Sequence, residues 1–280
     1  MRQEAPQRFV LQSSDVELAA QDGLKQGLRC INVRTSSDNG RMRRRPPRNP
    51  LFSRRRFEDN VIIRCVRWYL RFKLSYRDLA EIAWELGVSV ATGTILRWVV
   101  RYSEEFAKRW LHFEQRVGRS WWADETYVKV QGGWMFLYRA VDERGRTVES
   151  YLSRTRDITA AKAFFRKALK HHGEPRTITL DAFQPSHSAL HRLGMRNEFN
   201  LRWANPVRIR SCQYLNNIVE QDHRRIKSRV QPRLGFKKFY NARRVLIGVE
   251  LLHKLTKGQY GVPRRFGRTL DSIWSNVLAA

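Results

Sequence analysis

The sequence predicts an α/β protein: a mixed β-sheet with helices on both sides, preceded by an all-helical domain. Three observations predict it. Apolar residues recur at helical spacing from Val61 to Phe113, strict alternation takes over at Trp121, and from Thr159 onward helices and strands take turns.

The helical part comes first. Val61, Ile62, Cys65, Trp68, Tyr69 and Phe72 define a helix starting near Phe57. Ser75-Tyr76-Arg77-Asp78 has the form of a capping box and opens a second helix through Leu79, Ile82 and Ala83, stopped by Leu86-Gly87-Val88. A third helix runs from about Thr92 to Tyr102, with Ile95, Trp98 and Val99 inward and Arg97 and Arg101 outward, and Phe106, Trp110 and Phe113 extend the pattern. Two helices across a short glycine-bearing turn, the second carrying basic side chains, make a helix-turn-helix candidate. A plain three-helix bundle with a basic surface has the same pattern.

Alternation over Trp122–Val130 predicts a strand, Gln131-Gly132-Gly133 a turn, Trp134–Val141 a second strand and Thr147–Leu152 a third. A helix over Thr159–His172 is closed by Gly173, and the short apolar strand Thr177-Ile178-Thr179-Leu180 delivers Asp181 at its end. A helix over Ser186–Leu193, a strand near Leu201–Ala204, a helix within Tyr214–Lys227 and a last amphipathic helix over Asn241–Leu255 complete the set. This order matches a ribonuclease-H-like domain. The expected segments are a poorly ordered extension at 1–40, a basic arm at 41–56, the helix-turn-helix domain at 57–117, the sheet domain at 118–258 and a basic, peripheral tail at 259–280.

Charge narrows the function. Lys and Arg number 54 against 26 Asp and Glu, a net charge of +28, which points to a polyanionic partner and first of all to nucleic acid. No apolar run approaches the roughly 18 residues a membrane span needs, so a cytoplasmic protein without a membrane partner is expected. Three scattered cysteines, Cys30, Cys65 and Cys212, support neither a disulfide framework nor a cysteine-based zinc site. Between Arg41 and Arg56 the arginines, Arg43, Arg44, Arg45, Arg54, Arg55 and Arg56 among them, meet no acid and are broken by prolines. An extended arm on phosphates and a solvated linker both suit that composition.

Three acids stand on separate elements: Asp124 on the first strand, Asp181 after the fourth, and Glu220 on the helix that follows. Asp124 shares a strand face with Trp122, Val128 and Val130, where a carboxylate is costly unless a cation compensates it. Glu220, His223 and Lys227 fall on one face of their helix, where a carboxylate could hold a divalent cation and the ammonium steady a phosphate. Converging carboxylates can hold two Mg²⁺ ions, with Mn²⁺ as a substitute, for in-line displacement at phosphorus. An i,i+7 charge pattern on a solvated helix and an acid at a strand end are the plainer alternatives.

Over residues 50 to 260 the chain resembles the DDE transposases of bacterial insertion sequences, and more closely the insertion-sequence-six family. The resemblance rests on Val66-Arg67-Trp68-Tyr69-Leu70, Leu74 to Leu79, Thr94 to Val99, Asp124 to Val130, Tyr138 to Asp142, Tyr214 to Lys227, and Leu234-Gly235-Phe236-Lys237. It implies that Asp124, Asp181 and Glu220 bind metal, that Lys227 is the basic residue seven after the glutamate, and that the helix-turn-helix binds terminal inverted repeats of double-stranded DNA. It also implies a homo-oligomer on DNA, associated with the bacterial nucleoid, that frees 3′-hydroxyls at the element ends and joins them to target DNA. Arg43, Arg44, Arg45, Arg54, Arg55, Arg56, Arg97, Arg101 and Arg224 are the expected DNA contacts. The chain departs from the pattern in having 38 residues between Asp181 and Glu220, against about 34 in the family. Ala182-Phe183 after the second acid also differ, and residues 1–49 lie outside the match. A catalytically inactive relic that only binds DNA, and a nuclease without strand transfer, are the competing readings.

Overall fold

The computed structural model describes residues 49–181, 184–194, 207–211, 217–230, 236–267 and 269–279. Its first layer is helical: α1 (Asp59–Arg71), α2 (Tyr76–Glu85) and α3 (Thr92–Leu111). The capping box forms, since the Ser75 hydroxyl accepts the Arg77 and Asp78 N–H groups and the Asp78 carboxylate accepts the Ser75 N–H at 2.8 Å. Gly87, at φ +76°, lets the chain leave α2 in the left-handed conformation that other residues resist. α3 is one unbroken helix that buries Ile95, Trp98, Val99, Tyr102, Phe106 and Trp110, so the pattern past Tyr102 continues the same element, with Phe113 two residues beyond its end.

The sheet has the order β3-β2-β1-β4-β5 among the described residues, with β1 (Ser120–Val130), β2 (Gly133–Asp142), β3 (Thr147–Ser153), β4 (Thr177–Leu180) and β5 (Arg208–Ser211). β1, β2 and β3 pair antiparallel, while β4 and β5 join β1 in parallel. This mixed sheet is the ribonuclease-H-like arrangement. Gln131 and Gly132 both take positive φ, the demand of a two-residue hairpin turn between right-twisted strands. α4 (Ile158–His172) and α5 (Gln184–Arg192) cover one face, where Trp121, Tyr138, Val148, Phe164, Phe165 and Leu190 are buried together. α6 (Asn217–Val230) and α7 (Phe239–Thr256) cover the other, over Val128, Val130 and Leu137.

One expected strand falls outside the described residues and one expected segment changes character. The fifth strand forms at Arg208–Ser211, whereas the expected stretch Leu201–Ala204 lies outside the described residues. Arg208, Arg210 and Ser211 are exposed and Ile209 is half-buried, so an edge strand with one apolar residue gives little signal. The segment expected as a peripheral tail instead carries α8 (Leu270–Ala279), with Trp274, Val277 and Leu278 buried. Trp274 packs on Phe106 and Trp110, with ring centroids 5.4 and 5.1 Å away, and Asp271 binds Arg64 and Arg67 at 2.6 and 2.7 Å.

The helical layer and the sheet are not separate packing units. α7 lies against α1 and α3 as well as on the sheet, within one continuous core. Gly248 allows that close crossing: a Cβ there would stand 2.7 Å from a Leu70 methyl and 2.8 Å from the Ser103 hydroxyl, so those side chains would have to shift. Among the described residues, no helix is long and apolar enough to cross a membrane.

Candidate metal centre

Strand register builds the site. β1 pairs with β4 only as far as Ala123, opposite Leu180, and then runs on for seven residues. Where β4 stops, the chain leaves the sheet at Asp181, beside Asp124. The carboxyl end of a parallel strand at such a fork is where open α/β sheets expose side chains to a ligand. Asp124, Glu125 and Asp181 each bring one carboxylate oxygen within 4.8 Å of the others.

Glu125 received no role from the sequence, because alternation sends it to the opposite face from Asp124. Past Ala123, however, β1 has no β4 neighbour, so side chains from both faces reach the gap where Asp181 enters. The signal was present in the adjacency of the two acids, but the length of β4 gives it meaning. Glu125 is held by Arg156, whose Nε donates to Oε1 at 2.6 Å.

Burial, joined by the charges of Glu125, Asp181 and Glu220, pushes the Asp124 carboxyl up to about 7, against the pull of the Glu125 N–H that donates to Oδ1 at 2.8 Å. Burial and Asp181 likewise raise Glu125, opposed by Arg156. Crowded carboxylates with hard oxygen donors and no sulfur ligand fit a Mg²⁺-like divalent cation.

α6 lies across this face. His223 is buried, with Nδ1 3.7 Å from Asp124 Oδ2 and no hydrogen-bond partner at Nε2. Burial, then the charges of Arg139 and Lys227, lower its pKa to about 3, so the imidazole is neutral at physiological pH. Glu220, one turn earlier, is exposed and outside the 4.8 Å group, yet its charge reaches Asp124. Lys227, one turn later, is half-buried. The structure therefore gathers Asp124 and Asp181 with Glu125 and sets Glu220 at the rim.

The expected DNA contacts are spread widely. Arg97 and Arg101 project from α3, Arg97 donating to the Thr94 hydroxyl at 3.1 Å and Arg101 lying over the Tyr102 ring. Arg54, Arg56 and Arg224 are exposed and Arg55 is half-buried. Arg43, Arg44 and Arg45 lie outside the described residues.

Comparison with known proteins adds the following. A sequence model of the DDE-domain family matches residues 118–259. The transposase for insertion sequence-like element IS431mec of Staphylococcus aureus is 35% identical over 206 residues, 74% of this chain and 88% of that protein. The transposase for insertion sequence element IS257 in transposon Tn4003, also of Staphylococcus aureus, is 34% identical over the same shares. Among solved structures, the HTLV-2 integrase catalytic core domain in complex with magnesium (trimeric form) matches with a TM-score of 0.35 and 15% identity, over 55% of this chain and 94% of that one. The catalytic core domain of BIV integrase matches with a TM-score of 0.35 and 14% identity, over 49% and 84%.

Proposed function

Because the chain belongs to the insertion-sequence-six family of DDE transposases, a family of polynucleotidyl transferases, we propose that it binds terminal inverted repeats of double-stranded DNA, frees their 3′-hydroxyls and joins them to target DNA. The observation that carries this reading is the meeting of Asp124 and Asp181, remote in sequence, within 4.8 Å on adjoining elements. Asp124 and Asp181 would hold divalent cation, with Glu220 closing the site from α6. A Mg²⁺ pair there, or Mn²⁺ in its place, would supply the charge that activates the attacking oxygen and relieves the leaving one.

The chain's own residues orient the substrate. Arg156 holds the Glu125 carboxylate in place, and the neutral His223 walls the inner side of Asp124 without competing for it as a cation. Lys227 would meet a phosphate beside the carboxylates. Arg97 and Arg101 on α3 would seat the repeat, with Arg54, Arg55, Arg56 and Arg224 on neighbouring phosphates and Arg43, Arg44 and Arg45 extending that arm. The protein would work as a homo-oligomer on DNA in the bacterial cytoplasm, at the nucleoid.

The test is nicking and joining of a duplex carrying the inverted repeat by purified protein with Mg²⁺. Asp124→Asn, Asp181→Asn and Glu220→Gln should each abolish both steps while repeat binding persists, and full activity in any of them rejects the assignment. One observation favours a second reading, a DNA-binding relic without catalysis: Glu220 stands outside the carboxylate group. Repeat binding by a wild-type protein that never nicks would select it.

A further inference from the structure

We propose that a cleft on the far flank of α6 from the carboxylates is a second DNA site, which grips backbone phosphates away from the scissile bond. It has a volume of about 690 Å³, and its lining includes Arg144 and Arg146 from the β2–β3 turn, Gln221, Asp222 and Arg225 from α6, and Lys257 just past α7. Three chain segments, far apart in sequence, thus aim four cations at one concavity.

The acid in the lining, Asp222, is already taken: Arg139 and Lys257 pair with it at 2.7 and 2.6 Å, and His253 Nε2 lies 2.6 Å from its Oδ1. Arg146 donates to the Arg116 carbonyl at 3.1 Å, a neutral partner, and the Asp142 carboxylate at the same turn is taken up by the backbone N–H groups of Gly118, Arg144 and Arg146. Arg144 and Arg225 are exposed and make no ion pair among the described residues. Like charges converging on a concave surface raise the local concentration of anions and repel one another until an anion enters. Guanidinium groups suit phosphate oxygens by geometry as well as charge.

Position separates this cleft from the metal centre. At 100° per residue, Arg225 lies roughly 140° around the helix from Glu220. A phosphate bound between Arg225 and Arg144 is therefore not the one beside Asp124. Since the proposed substrate is DNA, that phosphate belongs either to the flank of the bound end or to a second duplex. The inference rests on that reading for its ligand, though not for its geometry.

The experiment uses the full chain and the double variant Arg144→Gln, Arg225→Gln, whose exposed side chains leave the core untouched, as an unchanged melting temperature verifies. Binding of a fluorescent repeat duplex is followed against salt. Where the cleft grips the bound duplex itself, the slope of log affinity on log salt should fall by about two, one for each lost phosphate contact. If the cleft holds the flank, that drop appears with a long-flanked duplex and vanishes with a short one. If it holds a second duplex, end nicking stays at the wild-type level while joining of a precut end into plasmid falls about tenfold or more. An unchanged slope with every duplex, together with unchanged joining, overturns the proposal. A wild-type protein that never nicks but whose slope still drops on substitution would overturn the catalytic reading and leave the cleft standing.

Discussion

Arg139 and Glu250 form a two-armed ion pair inside the protein, Nε to Oε1 at 2.7 Å and Nη2 to Oε2 at 2.9 Å, with neither side chain more than 5% exposed. Arg139 sits on β2 directly opposite Asp124, and its second partner, Asp222, comes from α6. One guanidinium thus ties the sheet to the helix that carries Glu220 and to α7. Removing one member of a buried ion pair strands the other charges. Arg139→Met should therefore cost about 3–5 kcal/mol, read as a lower urea midpoint at constant slope. Adding Glu250→Leu should restore much of the loss. A single variant that unfolds at the parent midpoint would contradict this.

Trp274 and Asp271 make a parallel case for α8. Trp274 is 1% exposed between Phe106 and Trp110, so Trp274→Ala should cost about 3–5 kcal/mol by opening a cavity under α3. Truncation after Gly267 should destabilise further, since Arg67, itself buried, loses its carboxylate. A truncated chain with an unchanged melting temperature would restore the peripheral tail.

Acid should loosen the β3–α4 junction through Glu149. Burial by itself would raise this carboxyl, but the hydrogen bond with His171 and the charges of Lys167 and Lys254 outweigh it and hold the pKa at about 2. A depressed carboxyl stabilises the fold above its unfolded value of about 4.3. That contribution is lost as the pH falls from there toward 2. Stability against pH should decline across this window, and Glu149→Gln should flatten that part of the curve while lowering stability at neutral pH. Parallel curves for the two proteins would remove Glu149 from the account.

On α3, Arg97 and Arg101 are one turn apart and both exposed. The paired change to glutamate should weaken repeat binding by about tenfold or more without altering the melting temperature. Equal binding by the variant would return this segment to a plain helical bundle.

What the sequence showed and what it hid divide along physical lines. Periodicity marked the helices and the three-stranded meander, because each buries a face of its own: the alternation around Val128 and Val130 and the helical spacing of Ile95, Trp98, Val99 and Tyr102 are both visible residue by residue. Asp124 could be placed on a costly apolar face for the same reason. Glu125 could not, since its part depends on β4 ending at Leu180, a pairing length that β1 itself does not encode. α8 was hidden by the basic residues before it, and Trp274 finds its place only against aromatic rings more than 160 positions earlier. β5 gave no signal of its own, because an edge strand of Arg208, Ile209, Arg210 and Ser211 buries almost nothing.

The carboxylate cluster itself supplies the last expectation. Three carboxylates within 4.8 Å repel one another, and burial of Asp124 adds to the cost, so the metal-free protein carries a local penalty that neutralising one member relieves. Asp124→Asn should therefore melt at a higher temperature than wild type in EDTA at neutral pH. Mg²⁺ or Mn²⁺ should raise the wild-type melting temperature by binding the folded state. In Asp124→Asn that rise should be largely lost, because a neutral amide neither attracts the cation nor replaces a carboxylate ligand. The two effects have opposite signs at one residue, which separates a metal site from a merely tolerated acid. If Asp124→Asn instead destabilises the protein in EDTA and keeps the full metal-induced shift, Asp124 serves the fold and the cation sits elsewhere.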